Sequence, residues 1–521
     1  MRAWRERAAL AVAAGVTIVL TGCGSAADVA SADRPSTTAP TEPTGIVDPS
    51  DPTTPSTPTA PSIPTGSPDL IDDPPVIPAD SELAMGESDP VEDPLYPQQS
   101  NPEIDVLHYF LQLDWDGDTL LGTETVTFRA TKDTDRIRLD LSSELGVQVV
   151  RLDGEPVDFT HENDGLVVLT PPVVADQRHE LQIEYVGTPA PTPALSQRSD
   201  QGEGLGWTQD LEGNVYTFQE PYGAFTWYAV NDHPSDEALY DARIVTYGDD
   251  VSVFNGVLRE SVRIEGDRTV NSWHVDEPMA SYLSTIAIGP YSEYVGSTDS
   301  GMDISYWVMP QDEDLVDGLK TEGAASFDWL EEHAGDYPFS SLGVVVVGGS
   351  SAMETQTMVT MSRGAVERPD AVLQHEFAHQ WYGDAVTPVD WRGVWLNEGF
   401  AMYFQQWYER DTGRTMYGNS FETWRQVDNL SRQSAGPPGD YDPAAFADSN
   451  VYLGPALMLN EIRERIGDPE FEQLVKTWVT DHDNEQVDRE VFTQYVNQQT
   501  GRNFTALIDS WLDSPTTPRI N

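Results

Sequence analysis

The window from residue 375 to 401, HEFAHQWYGDAVTPVDWRGVWLNEGFA, concentrates side chains that can do chemistry. It holds two of the nine histidines of the chain, His375 and His379, four positions apart. On a helix that spacing puts both imidazoles on one face, where they can grip one metal ion. Glu376 stands one position on from His375, near enough to reach a water on that ion. Catalytic zinc sites commonly use three protein ligands and leave a fourth position for water, so a third ligand is needed. Glu398 is the natural candidate. It lies in VWLNEGFAMYF, which reads as a second helix, and a loop through Thr387, Pro388 and Asp390 lets the two helices pack antiparallel. A carboxylate in that place leaves less positive charge on the ion than a third imidazole would. Zinc still lowers the pKa of its water from about 16 toward about 7, giving a nucleophile at neutral pH.

The elements that must hold these groups can be read from apolar periodicity. Helical windows fall at 370–384, 395–411, 450–466, 468–482, 487–499 and 504–513. Ahead of them, LGVVVVGG and AMETQTMVTMS read as short strands. GLKTEGAASFDWLEEHAGDYPF reads as a helix to about Ala334, ended by Gly335 and Pro338. From Asp105 onward, runs such as DVLHYFLQLDWD, LLGTETVTFRAT and HELQIEYVG are rich in β-branched and aromatic residues and are separated by Gly, Pro and Asp turns. The pattern predicts an α+β chain: an N-terminal β-sandwich or saddle-like sheet over 100–294, bounded near Tyr294, then a largely helical domain over 295–521. Trp381, Trp391, Trp395 and Phe400 are expected to pack around the site. The histidines outside the window show no metal spacing and are expected to be structural or exposed.

The formal charge is −58, and only Lys132, Lys320 and Lys476 are lysines. Such a charge argues against nucleic acid as a partner, because phosphates would be repelled. The single cysteine, Cys23, closes LTGC after the basic Arg2, Arg5 and Arg7 and the apolar run Ala8 to Leu20, which is too short to span a bilayer comfortably. This arrangement resembles a bacterial lipoprotein signal. It implies a signal peptide over 1–22, a lipid on Cys23, and attachment to the outer face of the cell membrane. Residues 23–99 are rich in Pro, Thr, Ser and Asp and poor in large apolar side chains, which predicts a disordered tether. A chain with no second cysteine has no internal disulfide, so its domains rest on packed cores.

HEFAHQWYGD followed by WLNEGFA resembles the M1 family of zinc aminopeptidases, whose site is H-E-x-x-H-x18-E. The resemblance runs from about residue 102 to the C-terminus. DVLHYFLQLDWDGDTLLGTETVTF is similar to the opening of that family's β domain, and FDWLEEHAGDYPFSSLGVVVV to the approach to its thermolysin-like catalytic domain. The stretch FTALIDSWLDSPTTPRI resembles the end of that domain, so the resemblance implies a short form without the long helical C-terminal domain of larger members. The family's G-x-M-E-N segment, an edge strand that captures the substrate α-amine, corresponds to Ser351, Ala352, Met353, Glu354 and Thr355. The glutamate is kept; the glycine and asparagine are replaced. TFQEP at 217–221 resembles the family's T-Q-x-E-P region and puts Glu220 at the second amine-binding carboxylate. VYLGPALMLNEIR puts Tyr452 at the family's oxyanion-stabilising tyrosine, with Gly454 and Pro455 where a basic residue and a glycine usually follow.

The resemblance therefore implies one zinc per chain on His375, His379 and Glu398, with Glu376 as the base. Tyr452 would be the oxyanion donor, Glu354 and Glu220 the ammonium site, and peptides with a free N-terminus the substrates. Two other functions stay open at this point. One is a zinc endopeptidase, encouraged by the altered SAMET segment. The other is a lipid-anchored binding protein that keeps the fold without the chemistry. The first-residue preference and the oligomeric state are not legible.

Overall fold

A computed structural model of the chain describes residues 77–196, 198, 201–366, 369–414 and 420–519. Cys23, the signal segment and most of the expected tether lie outside the described residues. The N-terminal region is built on an eight-stranded sheet. Its centre is the strand Ile104–Trp115, which pairs antiparallel with Leu120–Ala130 and parallel with Glu237–Tyr247. The hairpin between the first two turns at Gly117. Both inner strands are buried along most of their length, so their β-branched and aromatic residues face packed material on both sides. A three-stranded sheet and a four-stranded sheet complete this region. The last strand of the four-stranded sheet is Ile286–Gly289.

The next strand, Ser292–Ser297, already belongs to the second domain. It pairs with Asp303–Val308 in a five-stranded sheet that continues through Leu342–Val347 and Met358–Ser362 and ends at the two-residue edge strand Ala352–Met353. The expected boundary at Tyr294 thus falls inside a strand of this five-stranded sheet. Continuous strand character across Gly289–Pro290 hid the change of sheet. Of the helices Val316–Ala334, Pro369–His379, Val394–Asp411, Ser449–Ile466, Asp468–His482, Arg489–Thr500 and Thr505–Asp513, the first two touch this sheet and the rest pack chiefly on one another. A further helix, Phe421–Ala435, was not expected from the sequence. Ser420 caps it through the Thr423 amide, but its buried face carries Asp428 and Arg432, a fully buried ion pair, so it lacks a clean apolar stripe.

The helix expected over 370–384 stops at His379. Gln380–Asp384 forms a wider, π-type turn broken at Tyr382 and Gly383. Gly383 has φ of 133°, and a Cβ there would sit 3.1 Å from the Asn397 side chain, so only glycine fits this break. The disordered tether expected over 23–99 does not hold for residues 77–99, which dock on the folded body; the rest of that stretch lies outside the described residues. Ser88 N–H donates to Asp105, Tyr96 packs edge-on to Tyr222 and Phe446, and buried Asp93 accepts from the Trp391 amide and pairs with His233. Tyr96 and Asp93 supply the anchoring groups that the proline-rich stretch before them lacks. One apolar core runs through both domains, and Trp381, Trp391, Trp395 and Phe400 are all buried in it, as expected. Among the described residues no helix is long and apolar enough to cross a membrane.

Candidate active site

The helix Pro369–His379 opens with proline, which is favourable in a first turn. It buries Leu373, Phe377 and Ala378 completely, and this fixes its rotation. That rotation sends His375 and His379 toward the neighbouring helix Val394–Asp411, from which Glu398 projects. His375 Nε2 lies 3.2 Å from Glu398 Oε2 and 3.2 Å from His379 Nε2, and His379 Nε2 lies 3.5 Å from Glu398 Oε2. Zinc bonded at 2.0–2.1 Å in a tetrahedron separates neighbouring donor atoms by about 3.4 Å, so this triangle matches one tetrahedral face. His379 Nδ1 faces the Tyr382 carbonyl at 3.3 Å, a partner that favours the proton on Nδ1 and the lone pair on Nε2. The donor set fits a single zinc ion. Burial works against the Glu398 charge, but hydrogen bonds from the two histidines hold its carboxyl well below the usual range.

Glu376 is on the same helix and is buried. It does not join the donor triangle; a carboxylate oxygen of Glu376, one of Glu354 and a ring nitrogen of His379 lie within 4.8 Å of one another. Burial pushes the Glu376 carboxyl well above its ordinary value, while His379 pulls it down. Glu354 sits where the edge strand Ala352–Met353 ends, in the turn that leads to Met358–Ser362. Gln380, the residue after His379, ties this turn to the metal helix. Its Nε2 donates to the Glu354 carbonyl at 3.0 Å and to Asp384, and its Oε1 accepts from the Thr357 amide at 2.9 Å. This bracing role was not read from the sequence. The available signal was its place directly after the second histidine, in HEFAHQWYGD.

Glu220 comes from the β domain, in the loop after the strand Val215–Phe218. Gln219 holds that loop by donating to the carbonyls of Ser281 and Ser284 and accepting from Trp227 Nε1. Burial raises the Glu220 carboxyl well above its usual range, and the charges of Glu354 and Glu398 add to the shift. Burial also raises Glu354. One oxygen of each, Glu220 Oε1 and Glu354 Oε1, is buried with no hydrogen-bond partner among the described residues.

Tyr452 lies in the first turn of the helix Ser449–Ile466, which is capped by the Asp448 side chain. Its ring stacks on His375 with centroids 6.1 Å apart and planes 21° apart, and Glu398 lies beside its hydroxyl. Pro455 lies inside this helix. Its Cβ comes so near Gly399 that a Cβ on Gly399 would be 2.4 Å away, so these two residues set the close approach of the Tyr452 helix to the Glu398 helix. The structure thus brings His375, His379, Glu398, Glu376, Glu354, Glu220 and Tyr452 into one site. Cys23 lies outside the described residues.

The model of the peptidase family M1 domain matches residues 323–511, and that of the peptidase M1 N-terminal domain matches 105–283. The chain belongs to peptidase family M1. Among curated proteins, it is 27% identical over 323 residues to aminopeptidase 2 of Candida albicans, and 25% identical over 331 residues to glutamyl aminopeptidase of Sus scrofa. Each match covers 58% of this chain but only 34% and 35% of the relative, so the chain spans about a third of their length. The crystal structure of the M1 zinc metallopeptidase from Deinococcus radiodurans superimposes with a TM-score of 0.72 at 25% identity, covering 83% of this chain and 98% of that one. The M1 architecture of an N-terminal β domain followed by a helical peptidase domain is therefore the fold of this protein.

Proposed function

We propose that the protein is a zinc-dependent aminopeptidase that hydrolyses the first peptide bond of peptides with a free N-terminus. The observation that carries this reading is the pair of buried carboxylates beside the metal ligands. Glu354 and Glu220 are both desolvated, each with an oxygen lacking a partner among the described residues. Two buried acids repel each other and are costly until a cation sits between them. A substrate α-ammonium supplies that cation, forms charge-assisted hydrogen bonds, and fixes which peptide bond reaches Glu376. The two curated relatives named above carry aminopeptidase in their names, which agrees with this reading.

Zinc, when held by His375, His379 and Glu398, supplies Lewis-acid polarisation and acidifies a water. The remaining work falls to side chains of the chain. Glu376 takes the proton of the attacking water and returns it to the leaving amine. Tyr452 donates its hydroxyl hydrogen to the carbonyl oxygen as that oxygen gains charge, a contact strongest in the transition state. Glu354 and Glu220 hold the amine throughout.

The test is an aminoacyl anilide compared with its N-acetyl form. Acetylation removes the charge that the two acids need, so kcat/KM is expected to fall by orders of magnitude. Glu354→Ala is expected to lose most activity on the free amine while keeping its zinc. Equal cleavage of both substrates by the wild type would instead make this an endopeptidase. From LTGC and the basic, apolar segment before it, we further propose that Cys23 carries a lipid that anchors the protein outside a bacterial cell. Mass spectrometry of the mature N-terminus checks this, and an unmodified, soluble protein would rule it out.

A further inference from the structure

The hydroxyl of Tyr452 has a partner from the other domain. Arg198 lies in the β-domain segment between the strands Arg178–Gly187 and Gly206–Gln209, 254 positions from Tyr452 in sequence. Its Nη1 donates to the Tyr452 hydroxyl oxygen at 3.2 Å and to the Ala447 carbonyl at 3.3 Å, just ahead of the Tyr452 helix. The base of the segment is closed by reciprocal Thr192–Leu205 backbone bonds at 2.9 and 2.8 Å. Within it, Ser196 Oγ accepts from the Arg198 amide and donates to Gln201, whose Nε2 donates to the Glu220 carbonyl at 3.3 Å. One segment of the β domain therefore touches both the amine end of the site and its oxyanion end.

A phenol oxygen that accepts an N–H keeps its own hydrogen for donation. A cationic donor also draws electron density from that oxygen, which makes the remaining O–H a stronger donor. Ring stacking on His375 fixes the plane of Tyr452. The Arg198 contact fixes the hydroxyl itself. We propose that Arg198 is a positioning residue for Tyr452: the β domain supplies a guanidinium that holds the phenol oxygen so its hydrogen points to the developing oxyanion. This inference rests on the peptidase reading of the site. Arg198 is part-buried and lines a cavity of about 340 Å³ together with Ser196, Ser434 and Asp448, so shortening it leaves no void in the packed core.

The experiment is a double-mutant cycle of Arg198→Gln with Tyr452→Phe, with Arg198→Met as a second neutral variant. It is read on kcat and KM for whichever of the anilide and its N-acetyl form the wild type cleaves. It is read also on affinity for a phosphinic dipeptide analogue, which mimics the tetrahedral state without turnover. Arg198→Gln is expected to lower kcat about tenfold with KM within about twofold, and to weaken the analogue similarly. With Tyr452→Phe present it should change either quantity less than about twofold, because a positioning residue has nothing left to position. An equal loss with and without the tyrosine would overturn the proposal. So would a rise in KM at unchanged kcat, which would make Arg198 a substrate-binding group. Cleavage of the N-acetyl substrate would end the aminopeptidase reading and leave this cycle intact, and the analogue reads the same coupling even in a protein that turns over neither.

Discussion

His375, His379 and Glu398 come from one short window of chain on two helices in contact, whereas Glu220, Glu354 and Tyr452 come from three segments spread over residues 220–452 and two domains. The metal half needs only a helix pair. Leu373, Phe377 and Ala378 set the rotation of one helix, and the other packs directly against it through its buried face. The substrate half needs the whole fold, because the Glu220 loop must meet a sheet edge and a helix start that belong to another domain. Metal binding and substrate binding should therefore respond separately to damage. The first is sensitive to the helix pair alone, and the second also to how the two domains are docked.

The largest expected effect comes from breaking the metal half directly. Glu398→Ala removes one of three donors and leaves two histidines facing each other, so zinc content measured after dialysis is expected to fall below stoichiometric, with loss of activity. Glu376→Gln keeps all three donors. It should bind zinc as the wild type does, while turnover falls by about 10²–10⁴, the usual contribution of a general acid–base group. Metal analysis beside a rate assay separates the two. Wild-type turnover in zinc-loaded Glu376→Gln would show that the proton moves elsewhere.

A smaller effect is expected in the substrate half. Tyr452→Phe deletes one donor with little change in volume, and losing a single oxyanion donor costs about 10²–10³ in kcat. Zinc occupancy and the preference for a free amine should be unchanged, since neither Glu354 nor Glu220 depends on the phenol. A loss of free-amine preference together with rate would mean that the two ends of the site cannot be treated apart.

What the sequence made legible follows the same division. The i, i+4 histidines and the adjacent glutamate are a local pattern, and helix geometry turns local spacing into one face, so the metal half could be read almost completely. Glu354, Glu220 and Tyr452 were placed only through a family resemblance, because nothing in their own neighbourhoods says that they meet. Arg198 and Gln380 were missed as positioning groups. Their partners lie on other segments, and hydrogen bonds across a domain junction leave no periodicity. The helix expected over 370–384 failed at Gly383 for a related reason. Apolar period continues through Trp381 and Tyr382, while the backbone leaves helical geometry at Tyr382 and Gly383, where the Asn397 side chain of the neighbouring helix leaves room only for glycine. The tether ran long in the sequence reading because Asp93 and Tyr96 look like two more residues of a polar, proline-rich stretch until His233, Trp391 and Phe446 are placed around them.

The smallest of these effects tests domain docking. Asp93 is completely buried where the N-terminal segment, the β domain and the catalytic domain meet. Oδ1 accepts from the amides of Leu95 and Tyr96, and Oδ2 accepts from the Trp391 amide at 2.9 Å and faces His233 Nε2 at 3.1 Å. Burial opposes the charge, but the bonds from His233, Trp391 and Tyr96 outweigh it and lower the carboxyl below its ordinary 3.8. A carboxyl lowered on folding stabilises the protein fully above the unfolded value. That stability is lost as pH falls from about 4 through the lower folded value, because the unfolded chain takes up the proton first. Asp93→Asn keeps the shape but turns one oxygen into an N–H donor, which then faces either the Trp391 amide or those of Leu95 and Tyr96. The expected cost is about 1–3 kcal/mol near neutral pH, the penalty for a buried donor without a partner. Urea unfolding followed from pH 7 to pH 3 should show the wild-type advantage over Asp93→Asn shrinking below pH 4. Zinc stoichiometry should stay at the wild-type level in the folded variant, since the donor triangle lies within one domain. A variant whose deficit grows on acidification would mean that the carboxylate is not the group holding this junction.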